Sequence, residues 1–121
     1  MEAKAISRHV RQSARKVRQV ADMVRGKDIE AALNILHFNN KRASFAVEKT
    51  VRSAVANLMN SESGSGVHPE DLYLKTIFVD EGPTARRYRA GAMGRASIIR
   101  KRTSHISVIV AEKNQKKKTA K

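Results

Sequence analysis

Cysteine and tryptophan are both absent from this 121-residue sequence, and aromatic residues make up only 4% of it. Without cysteine there are no disulfides and no thiolate metal sites, which is compatible with a reducing, intracellular setting. With so few rings, a core must be built from Val, Ile, Leu and Ala. Long apolar runs are missing too. Nothing approaches a transmembrane span, and MEAKAISRHV at the N-terminus lacks the apolar centre of a signal peptide. The expectation is a soluble, non-secreted chain with no membrane segment. Acid is the last scarcity: 11 Asp and Glu stand against 25 Lys and Arg, for a net charge of +14 and a pI near 10.8. Such a balance opposes a compact monomer and favours a polyanionic partner. The length suits one domain, residues 1–121, with a single modest core.

No Asp or Glu occurs from Gly82 to Ala111, and that gap contains the most basic stretch of the chain, GPTARRYRAGAMGRASIIRKRTSH over 82–105. Seven of its residues are cations: Arg86, Arg87, Arg89, Arg95, Arg100, Lys101 and Arg102. Gly91 and Gly94 sit near its middle, and LYLKTIFV and HISVIV on either side alternate as strands do. Strands at both ends with glycines at the centre predict a long hairpin arm. At about 3.3 Å per residue and roughly ten residues a side, its tip would stand about 30 Å from the body. A charged hairpin of that length buries too little apolar surface to order itself in water. It calls for an anionic partner.

Before the arm, residues 3–10 alternate weakly, as in a short strand. Ser13 is placed to cap a helix in which Val17, Val20, Ala21 and Val24 share one face, and Gly26 ends it. Its other face carries Arg15, Lys16, Arg18 and Arg25, with Arg8 and Arg11 upstream and Lys27 just beyond. Such a face is commonly no more than solvated surface. Here residues 1–27 hold eight basic residues against Glu2 and Asp22 alone, which favours a binding surface. Asp28 caps a second, short helix with Ile29, Ala32, Leu33 and Leu36 inward. Asn39 and Asn40 break it and offer a cap for a third, from about Lys41 to Met59, with Ala43, Val47, Val51, Ala54 and Leu58 inward. Phe45 is expected in the core. NSESGSGVHP, residues 60–69, reads as a surface loop. Leu72–Val79 reads as a central strand, its Leu72, Leu74, Thr76, Phe78 face alternating with Tyr73, Lys75, Ile77 and Val79, and residues 106–110 as its antiparallel partner. The Lys-rich end, from about residue 113, reads as disordered until bound. The expected architecture is α+β: three helices packed on a small antiparallel sheet, with a long basic β-hairpin protruding.

Catalysis has little support. The four histidines are scattered with no metal-ligand spacing, and no Walker or dinucleotide pattern occurs, so no enzyme, metal or cofactor is expected. His105, at a strand start, reads as structural. Gly91-Ala92-Met93-Gly94 spells a GxxG, but that RNA-binding loop lies between helices and these flanks read as extended. Nucleic-acid binding fits better. Tyr88 among Arg86, Arg87 and Arg89 combines phosphate contacts with stacking. Six arginines to one lysine on the arm suit bidentate phosphate contacts. Two partners stay open on these grounds, a folded RNA or a duplex DNA bent by a β-arm. A DNA-bending arm inserts an apolar wedge at its tip, and only Met93 is available here.

Ser13-Ala14-Arg15-Lys16-Val17-Arg18 followed by VADMVRGK, then FVDEGP at 78–83, Gly94-Arg95-Ala96 and KRTSHISVIV at 101–110 carry a resemblance over residues 3–112. They resemble the large-subunit ribosomal protein twenty-two family in its bacterial-type form. The resemblance implies a structural protein that binds large-subunit ribosomal RNA early in assembly, beside neighbouring ribosomal proteins. It implies a place in the cytoplasmic ribosome, without deciding against an organellar one. The extended hairpin would line the nascent-peptide exit tunnel, where tip changes alter the macrolide response. By the same resemblance Arg15, Lys16, Arg18 and Arg25 face RNA from the body, and Arg86, Arg87, Arg95, Lys101 and Arg102 hold the arm in RNA. Arg89, Ala90, Gly91, Ala92 and Met93 form the tunnel-facing tip. The chain departs from the family there: Ala90-Gly91-Ala92 replaces the usual Pro-Arg-Ala, with Gly91 loosening the free arm and Arg89 placed to supply the lost cation.

Overall fold

The computed structural model describes residues 2–61 and 68–113; most of the expected 60–69 loop, and the Lys-rich tail beyond residue 113, lie outside them. The elements follow as β1 (Glu2–Val10), α1 (Ala14–Val24), α2 (Ile29–His37), α3 (Ala43–Asn60), a 3-10 turn at Pro69–Asp71, β2 (Leu72–Glu81), β3 (Ala85–Ala90), β4 (Ala96–Lys101) and β5 (Ser104–Glu112). Three helices therefore cover a three-stranded antiparallel sheet of order β1-β5-β2, and β3 pairs with β4 in a separate two-stranded ribbon.

Periodicity locates the helices. Val17, Val20, Ala21 and Val24 are all buried on α1, whose Ser13 Oγ accepts the Lys16 N–H at 3.4 Å. Gly26 closes it at φ +76°, a left-handed angle that glycine adopts without a Cβ clash. On α3 the inward face is the expected one, Ala43, Val47, Val51, Ala54 and Leu58, joined by Ser44 and Thr50. Thr50 ties this helix to β1 through a 2.6 Å hydroxyl pair with Ser7. Two caps differ from expectation. Asp28 stands in the cap position of α2 without capping, because its carboxylate pairs with Lys113 Nζ at 3.0 Å. Asn39 accepts the Lys41 N–H at 2.8 Å, so α3 starts later, with Arg42 in its cap position.

The core is entirely aliphatic, and Phe45 is not in it: 71% of its surface is exposed. At about 100° per residue, Phe45 sits roughly 200° around α3 from both Ala43 and Val47, which points it away from the sheet. The strand expected to be central is not central either. β5 is central and β2 lies at an edge. The apolar run on both faces of β2 has a different cause. Leu74 pairs with Val110 but Thr76 with Ile109, leaving Lys75 as a bulge that reverses the alternation. Leu72 and Leu74 before the bulge and Ile77 and Val79 after it face the helices, while Phe78 turns outward.

The arm begins where the three-stranded sheet ends. Gly82 N–H donates to the Thr103 carbonyl at 2.9 Å, and Thr103 Oγ1 donates to the Pro83 carbonyl at 2.6 Å. Pro83 has no N–H to offer, and the ladder breaks there before resuming at Ala85. Each arm strand is therefore six residues long, shorter than the ten expected, and reaches about 20 Å along the ribbon. At the tip, Met93 and Gly94 adopt left-handed angles of φ +57° and +74°.

Candidate nucleic-acid interface

Register decides how the arm displays its charge. Residues directly opposite in an antiparallel ribbon share a face. One face carries Arg86 opposite Arg100 and Tyr88 opposite Ile98; the other carries Lys101 opposite Ala85, Arg87 opposite Ile99 and Arg89 opposite Ser97. Both faces are therefore cationic, and every arm-strand residue but Ile99 is exposed. Tyr88 presents 72% of its surface to solvent. Like charges face to face destabilise a ribbon in isolation. Among the described residues, no carboxylate pairs with any of the arm cations. Arg95 follows the tip and Arg102 the end of β4, so cations bracket the ribbon at both ends. The tip itself (Arg89, Ala90, Gly91, Ala92, Met93) is wholly exposed, Met93 at 99%.

The body cations divide into two kinds. Arg8, Arg11, Arg15, Lys16 and Lys27 are exposed and make no ion pair among the described residues. Arg18 and Arg25, by contrast, are stitched to the edge strand. Arg18 donates through Nε and Nη2 to the Val79 carbonyl at 3.1 and 2.9 Å. Arg25 donates to the Ile77 carbonyl at 3.4 and 3.0 Å and pairs with Asp22. A guanidinium has five N–H donors, so both keep some free, but they also hold α1 to β2. These contacts orient α1 with its N-terminal end toward the arm. Val10, just before α1, pairs with Ser104 at the arm's root, and Arg18 lies over Val79 while Arg25 lies further back over Ile77. Arg8, Arg15 and Lys16 therefore belong to the end of the body from which the arm leaves.

Two histidines brace that root. His9, at φ +58°, donates its N–H to His105 Nδ1 at 3.1 Å, and the two rings meet edge to face at 5.0 Å. His105 is structural, as its place at a strand start suggested. Among the described residues no group of three or more His, Asp or Glu is placed to hold a metal, and no helix is long and apolar enough to cross a membrane. The Lys75 hydrogen bond holds the Glu2 carboxyl below its ordinary value, and Glu2 raises Lys75 in return.

Sequence periodicity missed the surface aromatics. Phe38, Phe45 and Phe78 are exposed, as is Tyr88, which its place on the arm had already marked, and Tyr73 is half-buried. Two of them belong to the α2–α3 corner, where Phe45 borders a cleft of about 610 Å³ whose rim holds Arg11, Lys41 and Arg42. The helical angle of Phe45, tested against the inward face of α3, was the available signal.

The pattern of the family described as Ribosomal protein L22p/L17e matches residues 5–111. The chain is 52% identical over 115 residues to the large ribosomal subunit protein uL22 of Halothermothrix orenii, covering 95% of this chain and 99% of that one. It is 52% identical over 116 residues to the protein of the same name from Thermus thermophilus, covering 96% and 100%. The Pelotomaculum thermopropionicum protein is 50% identical over 115 residues, covering 95% and 99%.

Proposed function

We infer the function from one premise: the chain belongs to the ribosomal protein L22p/L17e family. It is a structural constituent of the large ribosomal subunit in the cytoplasmic ribosome, not an enzyme, and its partners are ribosomal RNA and other ribosomal proteins. The DNA-bending alternative has no support. Beyond that, we propose how the labour is divided. The body applies Arg8, Arg11, Arg15 and Lys16, with the free donors of Arg18, to RNA at the end from which the arm leaves, and Arg25 and Lys27 to RNA further back along the body. The arm threads between RNA helices, with Arg86, Arg87, Arg95, Arg100, Lys101 and Arg102 on phosphates and Tyr88 stacked. Its uncharged tip, Ala90 to Met93, with Arg89 behind it, faces the nascent peptide in the exit tunnel. The observation that carries this proposal is the two-faced cationic ribbon whose charges have no carboxylate partner among the described residues.

Salt titration of binding to large-subunit ribosomal RNA tests it. If the six arm cations placed on phosphates all meet them, the arm alone gives log affinity a slope against log salt of roughly −4 to −5, a loss of several hundredfold between about 50 and 200 mM. Replacing Arg86, Arg100 and Lys101 by Ala lowers that slope by about 2 to 3. An unchanged slope refutes the arm's role. Deleting residues 90–93 should leave incorporation into subunits intact while altering macrolide sensitivity or stalling; lost incorporation would place the affinity in the tip instead.

A further inference from the structure

We propose that the cleft between the end of β1, α2 and the start of α3 takes one unstacked nucleotide of ribosomal RNA, with its base on the Phe45 ring and its phosphate on Arg11 and Arg42. This deepens the RNA-binding reading and rests on it. Of the five aromatic residues in the chain, none joins the buried core. Phenylalanine is among the residues most often buried, so a chain this poor in rings that leaves Phe45 71% exposed holds it for a surface role. The cleft beside it, about 610 Å³, falls within the roughly 300–1,000 Å³ of small-ligand clefts. Its floor is apolar, from Val10, Leu36 and Ala46.

The rim sets the chemistry of the occupant. Arg11, Lys41 and Arg42 face one acid, Glu48, and that carboxylate is already engaged by Arg52 at 3.0 Å, with His37 at 3.6 Å. Lys41 Nζ is occupied by Gln19 at 3.0 Å, while Arg11 and Arg42 have no carboxylate partner among the described residues. An apolar peptide would leave these guanidinium groups unmatched. A nucleotide offers a flat π-face for the ring and an anion for the arginines in one ligand. A base-paired stem cannot present a base to Phe45, so the base is splayed out of its stack.

The sequence has no tryptophan, so Phe45→Trp in the full chain creates a single fluorescent reporter at the ring position. On titration with large-subunit ribosomal RNA its emission should quench at saturation, with affinity retained. Phe45→Ala and Phe45→Leu should bind that RNA about 5- to 150-fold more weakly, with an unchanged salt slope, since no phosphate contact is lost. Their melting temperatures should stay near that of the parent, as for most surface substitutions. Replacing Arg11 and Arg42 by Ala should instead lower the slope by about 1 to 2. Parental affinity in Phe45→Leu or Phe45→Ala, or unquenched emission at saturation, overturns the proposal. So does quenching by purified ribosomal proteins and not by RNA, which would make the cleft a protein contact. Failure of the underlying RNA reading looks different: the unmodified chain itself would bind without salt dependence.

Discussion

Gly82 is where the arm is most sensitive to a single atom, and Gly82→Ala is the sharpest test of how the arm is rooted. A Cβ there would lie 2.5 Å from Thr103 Oγ1 and 3.1 Å from Cε1 and Nε2 of His105. Thr103 cannot give way without losing its 2.6 Å hydrogen bond to the Pro83 carbonyl, a loss of about 0.5–1.5 kcal/mol. The imidazole is held from its other side by the His9 N–H, so crowding it adds about 1–3 kcal/mol of strain. Against this, alanine restricts the unfolded chain and returns about 0.4–1 kcal/mol. The net loss is roughly 1–3 kcal/mol, a fall in melting temperature of about 4–10 °C for a domain of this size. Calorimetry of Gly82→Ala, Thr103→Ala and the double variant separates the terms. Thr103→Ala removes the atom that the new Cβ strikes, so the double variant should be more stable than the sum of the singles by about 1 kcal/mol. Strict additivity, or a Gly82→Ala variant as stable as the parent, refutes the packing described for the root.

Two further expectations follow from the body. Arg18→Ala and Arg25→Ala should each lower stability by about 1 kcal/mol, because each strips a charged donor from a β2 carbonyl at a partly exposed site. Arg15→Ala with Lys16→Ala should weaken RNA binding at unchanged melting temperature; equal stability losses in both sets would erase the distinction. The Glu2–Lys75 pair gives a pH signature. Its stabilisation is present above the ordinary carboxyl value of 4.5 and is lost as pH falls through the lower value that Glu2 has in the folded state. It is also lost as pH rises through the Lys75 value, which is raised above 10.5. Denaturant titrations of the parent and Glu2→Gln should therefore converge in strong acid; a gap that persists there counts against the pair.

The elements whose signals are local were legible in the residue order. α1 announces itself through a Ser cap, a four-residue apolar stripe and a glycine stop, and the structure has all three. The arm is equally plain, since acid-free sequence between two alternating runs leaves little else for the chain to do. What stayed hidden depends on neighbours far along the chain. A bulge at Lys75 has no residue signature, yet it reverses the inward face of β2, and the apparent two-sided burial that suggested a central strand follows from it. Residue type alone places Phe45 in the core, and its helical angle contradicts that. Arg18 and Arg25 look identical to Arg15 in composition, but the β2 carbonyls they bind come 61 and 52 positions later. The division of the candidate surface into gripping and bracing cations is for that reason a tertiary property.

The order β1-β5-β2 has a consequence for how the molecule comes into being. β1 and β2 share no ladder, only the Glu2–Lys75 ion pair; each finds its strand partner in β5, and Glu2 must wait for Ala111. During synthesis from the N-terminus, residues 2–103 emerge with helices formed but nothing flat to lie on, and the sheet closes in one late event of high sequence separation. Interrupted before Ser104, the chain would not yield a smaller protein. It would yield three sticky, half-apolar cylinders attached to a charged ribbon with nowhere to anchor.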